Sequence, residues 1–134
     1  MNGTIKVCDI EKYYGTKDNI TKAVNRISFE VRSGEFVGVM GASGSGKTTL
    51  LNLMSTIDKV TSGHIWYGDT DITALSEDQL ADFRKEHLGF VFQDFNLLDT
   101  LTLEENITLA LSIRKRPAAE IREKAGAIME ELGI

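Results

Sequence analysis

Residues 41–48 read Gly41-Ala42-Ser43-Gly44-Ser45-Gly46-Lys47-Thr48. The spacing fits G-x-x-x-x-G-K-[ST], the phosphate-binding P-loop. A nucleotide's phosphates need many donors converging on one small volume. Backbone N–H groups supply them where the chain curls tightly, and glycine permits the curl because it accepts positive φ without a Cβ clash. Gly41, Gly44 and Gly46 stand where the loop must bend or admit phosphate. Lys47 brings a point charge for the β- and γ-phosphates. Thr48 brings a hydroxyl for Mg²⁺, a hard cation that prefers oxygen ligands and keeps most of its waters.

The flanks agree with this reading. Phe36-Val37-Gly38-Val39-Met40 is a short apolar run suited to a buried central strand. Lys47 to Met54 follows as a helix, with Leu50, Leu53 and Met54 at helical spacing. Its N-terminus then aims a partial positive charge at the phosphates. A dinucleotide-binding G-x-G-x-x-G has no Lys-Thr pair at this place.

The 134 residues suffice for one domain with a core, and 42% hydrophobic with 26% charged residues is ordinary for a globular protein. A formal net charge of -5 argues against a nucleic-acid-binding surface. Cys8 is the single cysteine, so an internal disulfide is excluded, and it reads as a small hydrophobe in a first strand. No apolar run approaches the roughly 20 residues that span a bilayer. Met1-Asn2-Gly3-Thr4-Ile5-Lys6 is not a signal peptide. The expected location is the cytoplasm, with any membrane contact made through a partner.

Residues 4–14 and 22–32 read as antiparallel strands. Ile5 and Val7 share one face of the first, and Ile27-Phe29-Val31 forms a period-2 apolar face on the second. Ser33-Gly34 turns the chain toward the P-loop. Ser62-Gly63 leads into a short strand, His64-Ile65-Trp66-Tyr67, whose histidine reads as a surface residue because no second metal ligand lies near it in sequence. Ser76-Glu77-Asp78-Gln79 and Thr102-Leu103-Glu104-Glu105 are capping boxes that open helices to about 86 and 113. Residues 88–92, Leu-Gly-Phe-Val-Phe, read as another buried strand, ending at Gln93. Arg114-Lys115-Arg116 reads as a solvated helix end, and Pro117 suits the first turn of a last helix. Ile121, Ala125, Ile128, Met129 and Leu132 stripe that helix, and Gly133 stops it.

Tyr13-Tyr14-Gly15, the P-loop, and Gly89-Phe90-Val91-Phe92-Gln93 together resemble the ATP-binding subunit of an ABC transporter. The likeness covers nearly the whole chain from residue 4. It is greatest for the branch serving lipoprotein release, macrolide efflux and antimicrobial-peptide resistance. Within that branch, Met40 to Asn52, Ser55-Thr56-Ile57-Asp58 and Ala81 to Asn106 look most like the ATPases of bacitracin-type resistance systems. The resemblance implies an α/β P-loop NTPase core with an N-terminal antiparallel β subdomain and the start of a helical subdomain. Its expected divisions are 1–35 mainly antiparallel β, 36–92 P-loop core, and 93–134 glutamine loop with part of the helical subdomain.

Residue by residue, the resemblance implies that Tyr14 stacks on adenine and that Ser43 to Thr49 cradle the phosphates. It also implies that Gln93 completes the Mg²⁺ shell beside Thr48. The cofactors expected are therefore ATP and Mg²⁺. Phe95 to Leu103 would receive a coupling helix of a transmembrane permease, with Phe95, Leu97, Leu98 and Leu101 as its apolar surface; a small satellite core is the competing account of those side chains. The full-length form is expected to homodimerise, peripheral on the inner face of the membrane.

The sequence departs from the family in lacking the L-S-G-G-Q signature, the acidic strand end with its catalytic glutamate, and the switch histidine. Glu104, Glu105, Asp94 and Asp99 lie on the wrong side of the glutamine loop to replace that glutamate. The chain is therefore expected to be the N-terminal part of such a subunit, binding nucleotide without hydrolysing it by itself. A nucleotide-binding or interaction module with no enzymatic duty, from an interrupted gene, is the alternative.

Overall fold

The computed structural model describes residues 4–16, 18–94 and 96–134. Phe95, which the docking expectation includes, and Met1 to Gly3, which the signal-peptide reading includes, lie outside the described residues. The chain divides into two units, Met1–Leu88 and Gly89–Ile134.

The first unit is built on a four-stranded sheet in the order β2-β1-β3-β4. Strands β1 (Ile5–Thr16) and β2 (Asn19–Val31) form a long antiparallel pair. Strand β3 (Ser62–Tyr67) pairs antiparallel with the other edge of β1, and the two-residue β4 (Thr70–Asp71) closes on β3. The N-terminal sheet thus recruits residues from beyond the P-loop.

Simple alternation does not describe the buried face of this sheet. Val7 and Ile10 are both buried, three residues apart, because β1 carries a bulge between them. Asp9 takes up the extra residue at φ 45°, and the Ser28 hydroxyl both accepts from its N–H at 2.8 Å and donates to its carboxylate at 2.9 Å. The partner strand answers with its own bulge at Arg26, φ 50°. That second slip turns Val24 inward, although strict period 2 groups it with Arg26 and Ser28 on the polar face. Bulges of this kind re-aim side chains.

Helix α1 (Lys47–Met54) lays Leu50 and Leu53 onto that face. Helix α2 (Glu77–His87) adds Leu80 and Phe83, and a short 3₁₀ turn, Ile72–Ala74, adds Ile72. Ile10 and Ile65 are 0% exposed at the centre. The Tyr67 hydroxyl donates to the Met54 carbonyl at 2.7 Å, and its ring meets Phe83 edge-on with centroids 5.2 Å apart. Strand β3 is thereby tied to the C-terminal end of α1 and to the middle of α2. The α2 capping box forms as expected, Ser76 and Gln79 satisfying each other's backbone N–H groups.

In the second unit, helix α3 (Leu103–Ile113) starts at the Thr102–Glu105 capping box and helix α4 (Ala118–Leu132) at Pro117. Gly133 ends α4 in the left-handed region, φ 73°. Ala125 of the expected stripe is buried and Ile121 and Met129 are half-buried, while Ile128 and Leu132 face outward.

Two expectations are corrected. Neither 36–40 nor 88–92 forms a strand, and neither is buried. Phe36 is 100% exposed, and Met40, Phe90, Val91 and Phe92 are exposed too. The reason is pairing. A central parallel strand is held by ladders on both edges and buried by helices on both faces, and among the described residues no strand pairs with either segment. The side-chain alternation survives locally, since Phe90 and Phe92 stack with centroids 5.6 Å apart and rings 6° from parallel.

Burial pushes the Tyr67 phenol up from 10.0 to about 12. A raised phenol keeps its proton longer in the folded chain than in the unfolded one. Its contribution is therefore complete below pH 10 and is lost as pH rises toward 12. Urea unfolding followed between pH 10 and 12 should lose at most about 2.7 kcal/mol from this group. Tyr67→Phe should flatten that slope while lowering stability at pH 8 by about 1 kcal/mol, through the orphaned Met54 carbonyl.

Candidate functional site

The P-loop occupies 41–48 as a series of bends and turns running into α1. Gly44 and Gly46 lie at φ 77° and 87°, in the region glycine alone enters freely. Gly46 carries a second constraint. A Cβ there would stand 2.2 Å from the Ala23 carbonyl oxygen of β2, so the loop rests directly on strand backbone. The turn is closed by the Ser45 N–H donating to the Ala42 carbonyl at 3.2 Å.

Gly46 is also the N-cap of α1, and no side chain caps that end; the first turn has no acidic residue. Three orphan N–H groups, of Lys47, Thr48 and Thr49, therefore begin a helix whose positive end is left for an anion. Lys47 curls back over the loop. Its ammonium donates to the carbonyls of Gly41 at 2.9 Å and Ala42 at 2.7 Å, with the Ser45 hydroxyl at 3.5 Å. Gly41, Ser43, Gly44, Ser45 and Thr48 are exposed, and Gly46, Lys47 and Thr49 are half-buried. The glycine cradle, the uncapped helix end and an ammonium beside them suit a polyphosphate, and Thr48 presents its hydroxyl at the same end.

Tyr14, 43% exposed, sits near the end of β1. Its hydroxyl donates to Asp58 Oδ2 at 2.6 Å, while Lys12 Nζ meets Asp58 Oδ1 at 2.6 Å and lies 4.9 Å from the Tyr14 ring centroid. Lys12 also donates to the Lys59 carbonyl at 2.7 Å, and the Lys59 N–H donates to Asp58. Burial pushes the Asp58 carboxyl up, but the bonds from Lys12, Tyr14 and the Lys59 N–H outweigh it and hold the group below its usual range. The Asp58 hydrogen bond, then burial, push the Tyr14 phenol up, against a small opposing effect of the Thr49 hydroxyl. The structure thus brings Tyr14 beside the first turn of α1.

Gln93 is exposed in a bend of the second unit. Of the four acids weighed after it, Glu105 is committed as a cap: its carboxylate accepts from the Thr102 N–H at 2.7 Å and hydroxyl at 2.9 Å, which hold it below its usual range. Asp94, Asp99 and Glu104 are exposed. His64 is an exposed strand residue, as expected, its Nδ1 2.8 Å from Asp71 Oδ2. No group of three or more His, Cys, Asp and Glu forms a metal cluster among the described residues. Sequence reasoning passed over the roles of Lys12 and Asp58. A faint signal existed: Lys12 and Tyr14, two apart on a strand, share a face. Asp58 carried none, being 44 residues from its partner.

Comparison with known proteins matches the ABC transporter family over residues 24–134. The bacitracin export ATP-binding protein BceA of Halalkalibacterium halodurans is 52% identical over 97% of this chain and 51% of its own length. The ABC transporter ATP-binding protein YxdL of Bacillus subtilis is 48% identical over 100% of the chain and 52% of its own. The macrolide export ATP-binding/permease protein MacB of Brucella abortus is 39% identical, over 97% and 20%. Among solved structures, the dimeric bacterial ABC transporter cassette MJ0796 superposes with a TM-score of 0.86 at 36% identity, covering 94% of this chain and 56% of that one. The same cassette is known in a dimeric post-hydrolysis state bound to ADP and Pi, again with a TM-score of 0.86. The chain spans about half the length of the curated ATP-binding proteins it matches. With its P-loop, its sheet and its sequence in agreement, this chain belongs to the ABC transporter ATP-binding family.

Proposed function

We propose that the chain forms the ATP-holding part of an ABC transporter's ATP-binding subunit. The whole protein would couple ATP binding and hydrolysis to the movement or release of a peptide antibiotic or similar amphiphile by a membrane partner. The observation that carries this is the P-loop itself, pressed by Gly46 onto β2 and opening an uncapped helix beside the Lys47 ammonium. In this reading Gly41 and Ser43 to Thr49 hold the triphosphate, and Tyr14 supports the base. Thr48 is the residue of the first unit that would hold Mg²⁺, which supplies charge neutralisation of the phosphates when bound; Gln93 keeps only the role that the family resemblance implies. The 52% identity to a bacitracin export protein supports the choice of cargo class.

Phosphoryl transfer depends on positioning and charge stabilisation. The chain's own residues supply the phosphate side of both. Of Asp94, Asp99, Glu104 and Glu105, the last is spent on its cap. In this reading these 134 residues bind nucleotide without turning it over.

The permease contact is proposed at 93–103. Asn106 pins the backbone there, accepting from the Leu98 N–H at 2.9 Å and donating to the Leu98, Leu101 and Thr102 carbonyls. The pinned loop turns Leu97, 59% exposed, and Leu98 outward. That arrangement favours a docking surface over a satellite core. In the whole protein a second copy would complete the nucleotide site, and partner contact would place it on the inner face of the membrane. No described helix is long and apolar enough to cross a membrane.

Mg-ATP at 100 times its dissociation constant should stabilise the chain by about 2.7 kcal/mol in thermal unfolding. Lys47→Ala should abolish that shift, and so should Gly46→Ala, which drives a Cβ into β2. An unchanged shift in both variants would end the phosphate-site assignment. Phosphate release from Mg-ATP should be negligible; multiple turnovers lost in Lys47→Ala would overturn the binding-only reading. Replacing Leu97 and Leu98 by Ser should leave the Mg-ATP shift intact and weaken co-purification of the longer protein with its membrane partner. Undiminished co-purification would remove the docking surface.

A further inference from the structure

Three groups in the first unit have contacts that phosphate binding does not explain: Lys12, Asp58 and the Tyr14 hydroxyl. They form a closed set. Asp58 uses one carboxylate oxygen for the phenol at 2.6 Å and the other for the Lys12 ammonium at 2.6 Å. Lys12 in turn lies over the Tyr14 ring, 4.9 Å from its centroid. The ring is therefore held at its hydroxyl end and covered on one face by a cation, while 43% of the residue remains accessible.

Asp58 is itself fixed. It follows the C-terminus of α1, where the Ile57 and Asp58 N–H groups both donate to the Asn52 carbonyl. The turn places Thr56 at φ 60°, an uncommon conformation for a β-branched residue. Arg84 of α2 holds it there, donating to the Thr56 carbonyl at 2.9 Å and hydroxyl at 3.1 Å. One end of the α1 unit thus carries the phosphate loop, and the other carries the carboxylate that grips the aromatic.

A free tyrosine near a strand end samples several rotamers, and stacking on a base then costs the entropy of choosing one. A tyrosine tied by a charge-assisted hydrogen bond has already made the choice. The raised Tyr14 phenol accords with that tie. We propose that Asp58, assisted by Lys12, is a positioning residue that fixes the Tyr14 ring beside α1 as a one-sided shelf for the base of a nucleoside triphosphate. The proposal rests on the assignment of Tyr14 to the base.

Inorganic tripolyphosphate separates the two contributions, because it fills a phosphate cradle but has no base. Affinities of the full chain for Mg-ATP and Mg-tripolyphosphate are measured for the parent, Tyr14→Ala, Tyr14→Phe, Asp58→Asn and Tyr14→Phe/Asp58→Asn. Tyr14→Ala should weaken Mg-ATP about tenfold, the scale of one base–aromatic stack, with tripolyphosphate unchanged. Asp58→Asn, which keeps the side-chain volume, should weaken Mg-ATP about threefold and also leave tripolyphosphate unchanged. The double variant should bind Mg-ATP no more weakly than Tyr14→Phe alone, since both remove one tie. In alkaline absorbance titration, Asp58→Asn should lower the Tyr14 phenol's titration point. Unchanged Mg-ATP affinity in Tyr14→Ala would defeat the base assignment and this proposal with it. A loss in Tyr14→Ala without one in Asp58→Asn would defeat the positioning role only. An equal loss of tripolyphosphate and Mg-ATP in Asp58→Asn would mean that Asp58 maintains α1 rather than the ring, and would overturn the proposal.

Discussion

The contact between Gly46 and the Ala23 carbonyl governs how the first unit is put together. It leaves no room for a side chain, so the first turn of α1 lies directly on the backbone of β2. From there Leu50 and Leu53 reach the buried face formed by Val7, Ile10, Val24 and Ile65. The same closeness sets the direction of the helix, and hence where its uncapped N–H groups point. A methyl at residue 46 would disturb core and phosphate cradle together, because one backbone contact serves both. Binding and folding here draw on a single packing geometry.

Strand β1 is the other shared component. It is paired on both edges, so its bulge at Asp9 acts on two neighbours at once. Gly63 of β3 answers that bulge closely: at φ 88°, a Cβ there would lie 2.4 Å from the Asp9 carbonyl. Past the bulge, β1 delivers Lys12 and Tyr14 to the side of α1. The left-handed residues Asp9, Arg26 and Thr56 each bear a conformational cost of roughly 1–3 kcal/mol. Asp9 is compensated by Ser28 and Thr56 by Arg84, both through hydrogen bonds made to the strained residue itself.

Features with short-range causes were legible in the sequence. Both capping boxes, the Pro117 start and Gly133 stop of α4, the helix after the P-loop and the antiparallel β1–β2 pair all appear where residue spacing puts them. Bulges were not legible, because an extra residue at Asp9 or Arg26 leaves no mark on composition and is revealed only by the partner strand. The segments 36–40 and 88–92 show the opposite failure. Their apolar content marks them for burial, but a strand needs a second segment to pair with, and composition names no partner. Phe36, Met40 and Val91 are exposed as a result.

The candidate site divides along the same line. A phosphate is recognised by backbone donors, a glycine-shaped bend and a lysine at fixed spacing, so eight consecutive residues announce it. A base is recognised by a ring face, and a ring face is useful only when something holds it still. Here the restraint comes from Asp58, which reaches Tyr14 across 44 residues, and from Lys12, which reaches Asp58 across 46. No local pattern encodes such pairs. They exist because α1 leads from the phosphate loop to the Thr56 turn, and because the end of β1 brings Lys12 and Tyr14 to the residue that follows that turn. The sequence motif therefore describes the invariant chemistry of a triphosphate, whereas the proposed nucleoside end of the site depends on how sheet and helix are set against each other. A substitution at Asp58 changes no motif, yet it removes the carboxylate that holds the Tyr14 hydroxyl.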